Sequence, residues 1–304
     1  MKAKKSLGLK TFKFARAKRA LGQNFLKSEI ALRKMIEAGE IKKDDVILEI
    51  GPGKGKLTEK LLENAGQVIA VEKDRELFEF LENKFEKEIK INTLILVCGD
   101  ILNFNINNYN LAPRTYKLIS NIPYNITGAI LKKFLGGLNQ PKSMVLMVQH
   151  EVAKRIMGRS GKAKPHEIKP SGVARSAKSG FRESILSISV KAYGEPKIIM
   201  KVEARYFSPK PKVDSAIIAI KNISRKLFTS PQPSPYKGEG VKLDEERFWQ
   251  IVKAGFAHKR KKLSSNLKRL KNGSKASVLE LGNKRAEDLT LEDWIAISKM
   301  QNPS

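Results

Sequence analysis

The stretch LEIGPGKGKLT (residues 48–58) decides the fold, because it sets Gly51, Gly53 and Gly55 between a short apolar run and an amphipathic one. Closely spaced glycines permit backbone dihedrals that are closed to other residues and let the main chain approach a ligand. A helix that follows such a turn presents free N–H groups in its first turn. The spacing G-x-G-x-G differs from the dinucleotide pattern G-x-G-x-x-G, which argues against a pyridine nucleotide. We therefore predict a strand, a ligand-binding turn and a helix, with a plain tight turn as the alternative.

Outward from this unit, short apolar runs alternate with helical spacing along the chain. Buried strands that alternate with helices indicate a parallel sheet with helices on both faces, and ligands then bind at the carboxyl ends of the strands. We therefore predict a Rossmann-like α/β fold with a small C-terminal α-helical domain. The predicted strands lie in VILEIG (46–51), QVIAVEKD (67–74), LILVCGD (94–100), YKLISNIPY (116–124), the start of KSMVLMVQHEVAKRI (142–156), ILSISVKAYG (185–194) and VDSAIIAIKNI (213–223).

Composition shifts divide the chain into segments. The Pro/Ser/Gly-rich run TSPQPSPYKGEG is typical of a linker, and a stretch rich in Gly, Ser and Lys is typical of a basic loop. The predicted segments are a basic N-terminal arm (1–27), a Rossmann-like domain (28–224) that contains the basic loop (157–180), a linker (225–240) and a small helical RNA-binding domain (241–304).

Charge and rare residues narrow the function classes. Lys and Arg outnumber Asp and Glu by 59 to 31, so the formal net charge of +28 favours a polyanionic partner. Cys98 is the one cysteine and is predicted to lie in the core, and the three histidines are scattered, so we predict no metal site. We find no apolar run of membrane-spanning length. The basic N-terminus lacks an apolar signal core, so we predict a cytoplasmic protein, with an organelle transit peptide as the alternative.

Two acidic residues close strands that follow the glycine turn. Glu72 ends VIAVE, where a carboxylate can accept both hydroxyls of a ribose. Asp100 follows the next strand and can accept a hydrogen bond from an adenine amino group. The alternative for Glu72 is a solvated strand end, and for Asp100 it is a helix or turn cap.

The run NIPY (121–124) combines groups that suit an aromatic amine. The side-chain oxygen of Asn121 and a neighbouring backbone carbonyl can accept the two N–H hydrogens of such an amine. Proline stiffens the turn, which holds those carbonyls in place. Tyr124 offers a flat face on which a flipped base can stack, a contact worth about 1–3 kcal/mol. An Asx-type turn that leads into a helix is the alternative.

These motifs together resemble the S-adenosylmethionine-dependent rRNA adenine N6-dimethyltransferases of the KsgA (RsmA)/Erm superfamily. The resemblance covers nearly the whole chain and implies a class I methyltransferase sheet. Its motifs, in chain order, are LGQNFL (21–26), LEIGPGKGKLT, AVEKD (70–74), GDIL (99–102), NIPYNIT (121–127), MVQHEVAKRI (147–156), YFSPKPKVDSAII (206–218) and FAHKRKKLSSNL (256–267). The basic loop and the linker depart from the usual pattern, which bears on RNA docking more than on chemistry.

The resemblance implies a site for S-adenosylmethionine and no metal. Asn24 and Leu26 of LGQNFL would line the cofactor site. Gly51 would contact the methionine portion, Glu72 the ribose and Asp100 the adenine.

The same resemblance implies the residues that meet the target base. Asn121 would lie between cofactor and target and contact both, and Tyr124 would stack on the base. Phe207 matches the second aromatic of the family, which would close on the other face of the base; core packing is its alternative. Glu49 matches an acidic residue near the glycine loop, and no direct contact is assigned to it.

The implied reaction is dimethylation of two adjacent adenosines in the 3′-terminal hairpin loop of small-subunit (16S) rRNA, by a monomer that acts on the small ribosomal subunit or its precursor. The motifs LGQNFL, VLMVQHEVAKRI and FAHKRKKLSSNL favour this branch. Three alternatives remain: an Erm-like enzyme for large-subunit (23S) rRNA, a non-catalytic ribosome-assembly factor, and a methyltransferase for DNA or small molecules. Enzymes of the DNA type tend to carry Pro-Pro-Tyr, whereas Ile122 holds the first of those positions here.

Overall fold

The computed structural model of the chain describes residues 22–109, 111–160, 181–228, 243–268, 270, 281 and 283–300. Its strands are β1 (Phe25–Leu26), β2 (Val46–Ile50), β3 (Gln67–Glu72), β4 (Leu94–Cys98), β5 (Tyr116–Asn121), β6 (Ser143–Gln149), β7 (Arg159–Ser160), β8 (Phe181–Arg182), β9 (Glu195–Val202), β10 (Phe207–Ser208) and β11 (Ser215–Lys221). Its α-helices are α1 (Glu29–Gly39), α2 (Lys56–Asn64), α3 (Arg75–Lys84), α4 (Glu86–Lys90), α5 (Thr127–Gly136), α6 (His150–Met157), α7 (Ile185–Lys191), α8 (Glu245–Gly255), α9 (Leu263–Leu267) and α10 (Leu291–Met300).

A seven-stranded sheet in the order β4-β3-β2-β5-β6-β11-β9 forms the centre of the protein. The five strands from β4 to β6 are parallel, and β11 runs antiparallel to both β6 and β9. The order changes direction between β2 and β5, which is where a doubly wound sheet opens a crevice for ligands. The predicted Rossmann-like sheet is confirmed, but it is mixed and not wholly parallel as the pattern indicated, because β11 pairs antiparallel with both of its neighbours.

Side chains of the parallel strands alternate between two hydrophobic clusters, one on each face of the sheet. Along β2, Ile47 packs with buried residues of α1, α2 and α3, whereas Leu48 and Ile50 pack on the opposite face with α5, α6 and α7. Strands that are apolar on both sides must be covered on both sides. The helices therefore lie on both faces, as the sequence predicts.

Two sequence-based predictions are wrong. ILSISV was expected to be a strand, but Ile185–Lys191 is helix α7, and the next strand begins at Glu195. A capping box overrides the β-branched residues: the Ser184 hydroxyl accepts the Ser187 N–H at 3.1 Å, and the Ser184 N–H donates to the Ser187 hydroxyl at 2.7 Å. Cys98 was expected in the core, yet it is exposed, because it ends β4 at the edge of the sheet.

The C-terminal helices α8, α9 and α10 share the hydrophobic cluster of α5–α7. Tyr193 of the sheet domain packs against Phe228 and Trp249, with ring centroids 5.3 and 6.1 Å apart. The predicted C-terminal helices are thus present, packed on the sheet domain. The linker at 229–240, the arm at 1–21 and the loop at 161–180 lie outside the described residues, so the predicted segment boundaries stay predictions.

Among the described residues, no helix is both long and apolar enough to span a bilayer. In the same part of the chain, His, Cys, Asp and Glu side chains form no group of three that could hold a metal ion. The expectation of a protein without a metal stays a prediction.

Candidate functional site

A cleft of about 410 Å³ opens at the carboxyl ends of β2, β3, β4 and β5. Its walls come from the glycine turn, the ends of these strands and the segment Gly22–Lys27, which crosses the opening. The structure brings most of the predicted site residues into this cleft, although they are spread over the first half of the chain. Those that line it are Asn24, Leu26, Gly51, Glu72, Asp100, Asn121 and Tyr124.

The glycine turn follows β2 in a conformation that needs glycine. Gly51, Gly53 and Gly55 have φ angles of 63°, 61° and 77°, in the left-handed region. A Cβ on Gly55 would lie 2.6 Å from the ring of Phe85, whereas a Cβ on Gly51 would meet nothing within 4 Å. Gly55 is therefore required for packing, and Gly51 leaves its backbone open toward the cleft.

The Glu72 carboxylate holds the glycine turn from the neighbouring strand. It is buried, with one oxygen accepting the Gly53 N–H at 3.0 Å and the other accepting the Asp74 N–H at 2.8 Å. Burial raises the pKa of the Glu72 carboxyl, while these backbone donors act in the opposite direction. Glu72 is thus fixed at the cleft wall, where its further lone pairs can accept ligand hydroxyls.

Glu49 is a second buried carboxyl at the cleft, and no direct ligand contact was assigned to it above. Its Oε2 accepts the Thr58 hydroxyl at 2.7 Å, and the side chain is 1% exposed. Burial raises the pKa of Glu49 from 4.5 to about 8, and the negative charge of Glu72 adds to the rise. Glu49 therefore holds its proton at neutral pH in this structure.

Asp100 pairs with a residue that sequence reasoning missed. Lys73 Nζ lies 2.8 Å from Asp100 Oδ2, and the Leu102 N–H donates to Asp100 Oδ1 at 2.9 Å. Lys73 is the main reason that the pKa of the Asp100 carboxyl lies below its usual range. The signal was available, since Lys73 follows Glu72 at the end of the strand next to the one that leads to Asp100.

Lys133 of α5 holds the segment that follows Asp100. Its ammonium donates to the carbonyl oxygens of Ile101, Leu102 and Phe104 at 2.8, 2.9 and 2.8 Å. An ammonium has three donors, and here each meets a carbonyl. The wall of the cleft at Asp100 is therefore tied to α5, which begins at Thr127, three residues after NIPY.

Asn121 ends β5 and is oriented by the segment that crosses the cleft. Its Nδ2 donates to the Asn24 carbonyl at 3.0 Å, which leaves Oδ1 as the acceptor of this amide. The crossing segment is itself anchored, because Gln23 Nε2 donates to Asp74 Oδ2 at 2.8 Å and β1 pairs with β10. The amide that sequence reasoning selected as the acceptor is thus held in one orientation.

The two predicted aromatic residues occupy different environments. Tyr124 is half-buried at the cleft wall, its hydroxyl forms a hydrogen bond with Ser215 Oγ, and burial raises the pKa of its phenol. Phe207 is 2% exposed, lies opposite Leu26 in the β1–β10 pair and packs in the core. Phe207 is therefore a core residue in this structure, which was the alternative to a contact with the base, and that contact stays a prediction.

A run of positive charge lies between α8 and α9. Lys259, Arg260, Lys261 and Lys262 are all exposed. Such side chains are suited to phosphate contacts, which position a protein on nucleic acid without reading its sequence.

The groups in the cleft fit an adenosyl ligand. Carboxylates at Glu72 and Asp100 can accept hydroxyl and amino hydrogens, and Ile50, Val71 and Ile101 supply apolar surface for a purine. A cleft of about 410 Å³ accommodates a molecule the size of S-adenosylmethionine. The Asn121 amide lies in the same cleft, at the end of β5.

Comparison with known proteins gives consistent matches. The family model described as "Ribosomal RNA adenine dimethylase" matches residues 14–168 and 170–302. A protein of Dehalococcoides mccartyi (strain CBDB1), named ribosomal RNA small subunit methyltransferase A, is 36% identical over 92% of this chain and 86% of its own length. A protein of the same name from Nostoc sp. is 34% identical over 94% of this chain and 98% of its own length.

Solved structures agree on the fold. A dimethyladenosine transferase from Plasmodium falciparum superposes with a TM-score of 0.68 at 25% identity, covering 90% of this chain and 95% of that one. The 23S rRNA methyltransferase ErmE superposes with a TM-score of 0.62 at 24% identity, covering 91% and 98%.

Proposed function

Because the chain belongs to the ribosomal RNA adenine dimethylase family, we propose that it dimethylates N6 of two adjacent adenosines in the 3′-terminal hairpin loop of small-subunit (16S) rRNA. This reaction contributes to biogenesis of the small subunit. One observation carries the proposal: the Asn121 amide shares a single cleft with the carboxylates of Glu72 and Asp100. Relatives whose names specify the small subunit support that target.

Three groups of this chain would hold the methyl donor. Glu72 accepts the ribose hydroxyls, Asp100 accepts the adenine amine and Gly51 lets the backbone approach the methionine portion. Asn24 and Leu26 close the cleft from the crossing segment. S-adenosylmethionine supplies a methyl group on a sulfonium whose leaving sulfur is neutral, so the transfer requires neither a metal nor a covalent nucleophile.

The target amine needs activation by position. The lone pair of an amino group on an aromatic ring is delocalised, so the amine is a poor nucleophile. Asn121 Oδ1 and a backbone carbonyl of the NIPY turn accept its hydrogens and turn its lone pair toward the donor. These acceptors also face the positive charge that develops on the nitrogen, while Tyr124 holds the base by stacking. Positioning accounts for most of the acceleration, and water takes the proton.

The basic parts of the chain would hold rRNA. Lys259–Lys262 is exposed and cationic, and the arm (1–27) and loop (157–180) add further basic residues. These groups contact phosphates, which makes affinity for the particle dependent on salt. We propose that the protein acts as a monomer, and an rRNA substrate supports a cytoplasmic location.

Observations on the relatives and on the cleft disfavour two alternative functions. An Erm-like target is disfavoured by the small-subunit names of the relatives, since the likeness to ErmE at 24% identity concerns the fold. A non-catalytic assembly factor would have no need of Asn121, Glu72 and Asp100 together in one cleft.

The proposal is tested with Asn121→Ala, which removes the amide at the acceptor position. We expect transfer of labelled methyl groups to purified small subunits to fall by at least about 100-fold, with S-adenosylmethionine affinity within about threefold. Asn83→Ala, on the exposed face of α3, is the matched control and should keep full activity.

Two results would contradict the proposal. Equal labelling of large subunits or DNA by the native protein would exclude the small-subunit target. Full activity of Asn121→Ala would exclude the assigned acceptor.

A further inference from the structure

We propose that Ser215 is a positioning residue for methyl transfer, because its buried hydroxyl holds the ring of Tyr124 at the cleft wall. The proposal rests on the proposed function, in which that ring stacks on the target base. Ser215 belongs to the run VDS that follows Phe207, and the mechanism above gives it no task.

Ser215 is anchored more firmly than the turn it contacts. It is the first residue of β11, has no exposed surface and lies opposite Gln149 of β6 and Val202 of β9. Tyr124 belongs to a short 3-10 helix (Tyr124–Ile126) at the cleft, 91 positions earlier in the chain, and its hydroxyl meets Ser215 Oγ. A hydroxyl buried in a sheet has to be paired, so the contact gives each residue its partner.

The residue before Ser215 fixes the start of β11 to three other elements. The Asp214 carboxylate accepts the Ala204 N–H at 3.0 Å and lies 2.8 Å from Lys201 Nζ. The Asp214 carbonyl accepts the N–H of His150 at 2.9 Å. Ala204 begins the turn that leads to Phe207. The pair Asp214–Ser215 therefore holds the segments of both predicted aromatic residues.

The hydrogen bond restricts one motion of the ring and leaves another free. The phenol oxygen of Tyr124 lies on the long axis of the ring, so rotation about that axis keeps the bond to Ser215. Swinging the ring about the Cα–Cβ bond breaks it. With Pro123 stiffening the backbone at the near end and Ser215 holding the far end, the ring keeps its distance from Asn121. That distance determines where a stacked base presents its amine.

A double-mutant cycle with Tyr124→Phe and Ser215→Ala tests this role. Each single change removes the hydrogen bond and keeps an aromatic ring at the cleft, so we expect each to lower kcat by about 10-fold. The double variant should lose about the same factor, because the bond is already absent in either single variant. S-adenosylmethionine affinity should stay within about twofold, and the ratio of monomethyl to dimethyl product should rise.

Three further variants separate positioning from general structure. Tyr116→Phe removes a phenol that donates to Asn139 at 2.7 Å, outside the cleft, and should leave kcat unchanged. Ser215→Thr keeps the hydroxyl and should restore kcat to within about threefold of the native value. Tyr124→Ala removes the stacking ring and should lower kcat far more than Tyr124→Phe.

The outcomes distinguish this inference from the proposed function. Native kcat in Tyr124→Phe and Ser215→Ala, with Tyr124→Ala inactive, would overturn the positioning role alone. Losses that multiply in the double variant would overturn it as well. Full activity of Tyr124→Ala would overturn stacking by Tyr124, on which both depend. If Ser215→Ala fails to fold, the kcat values of Tyr124→Phe and Tyr124→Ala still distinguish the positioning role of Ser215 from base stacking by Tyr124.

Discussion

Replacing Glu49 with Gln should make the protein more stable at neutral and mildly alkaline pH. Glu49 is buried beside Thr58, and burial raises its pKa from 4.5 to about 8. In the unfolded chain the carboxyl ionises freely, whereas in the folded chain it has to keep its proton. Gln has the same shape, stays neutral and can accept the same Thr58 hydrogen bond.

The size of the effect follows from proton linkage. Between pH 4.5 and about 8 the folded state holds one proton that the unfolded state has released. Over this interval the native free energy of unfolding therefore falls by about 1.4 kcal/mol per pH unit relative to Glu49→Gln. Between about pH 5 and about pH 7 the relative loss amounts to roughly 2–3 kcal/mol. The contribution of protonated Glu49 to the stability of the native protein is fully present below the pKa of Glu49 in the unfolded chain. It is lost as the pH rises towards and through the pKa of Glu49 in the folded chain.

The assay is urea unfolding of both proteins at pH values from about 5 to about 9. The difference in free energy of unfolding should grow in favour of Glu49→Gln and level off above about pH 8. Glu63→Gln makes the same change at an exposed position of α2, beside Lys60, and is the control. It should change the free energy of unfolding by less than about 1 kcal/mol throughout this range, because an exposed ion pair contributes little. A difference for Glu49→Gln that does not change with pH would refute the reasoning.

Two further predictions concern the cofactor side of the cleft. Lys73→Met releases Asp100 from its ion pair, in which the lysine side chain is 59% exposed. Calorimetry should then show that S-adenosylmethionine binds up to about fivefold more tightly and with less sensitivity to salt. Weaker binding would show that Lys73 itself contacts the ligand. Gly51→Ala should cost about 1 kcal/mol of stability but abolish cofactor binding, because its Cβ projects into open space toward the cleft. Gly55→Ala should cost several kcal/mol, since its Cβ would lie 2.6 Å from Phe85, and equal thermal stability of the two variants would contradict this.

The parallel sheet was predictable because its strands are apolar on both faces and its helices amphipathic. Such patterns report which faces of a strand or helix are buried, and the packing of the sheet is determined mainly by that burial. The misassigned run ILSISV shows the limit: β-branched residues favour a strand, but one serine pair caps a helix, and a local hydrogen bond of this kind leaves little periodic signal. The prediction that Cys98 is buried was wrong for another reason. Its strand has an apolar sequence but lies at the edge of the sheet, where the end of the strand is exposed.

In the site, residues that end strands could be predicted and their partners could not. Glu72 and Asn121 follow from position, because carboxyl ends of parallel strands meet at one edge. Lys73 could have been found in the same way, since it follows Glu72, but Lys133 and Ser215 act through contacts between distant segments that no spacing in the sequence encodes. Phe207 was identified by its motif, but whether it faces the cleft or the core depends on the packing of β10.

The bond between Gly53 and Glu72 bears on which nucleotides the cleft rejects. Glycine turns before a helix commonly bind pyrophosphate through their N–H groups. Here the Gly53 N–H already serves a carboxylate of the same chain, at 3.0 Å. A diphosphate entering the turn would have to displace that carboxylate and would meet its charge. We therefore expect dinucleotides and nucleoside triphosphates, which are abundant in any cell, to compete poorly with a smaller sulfonium nucleoside.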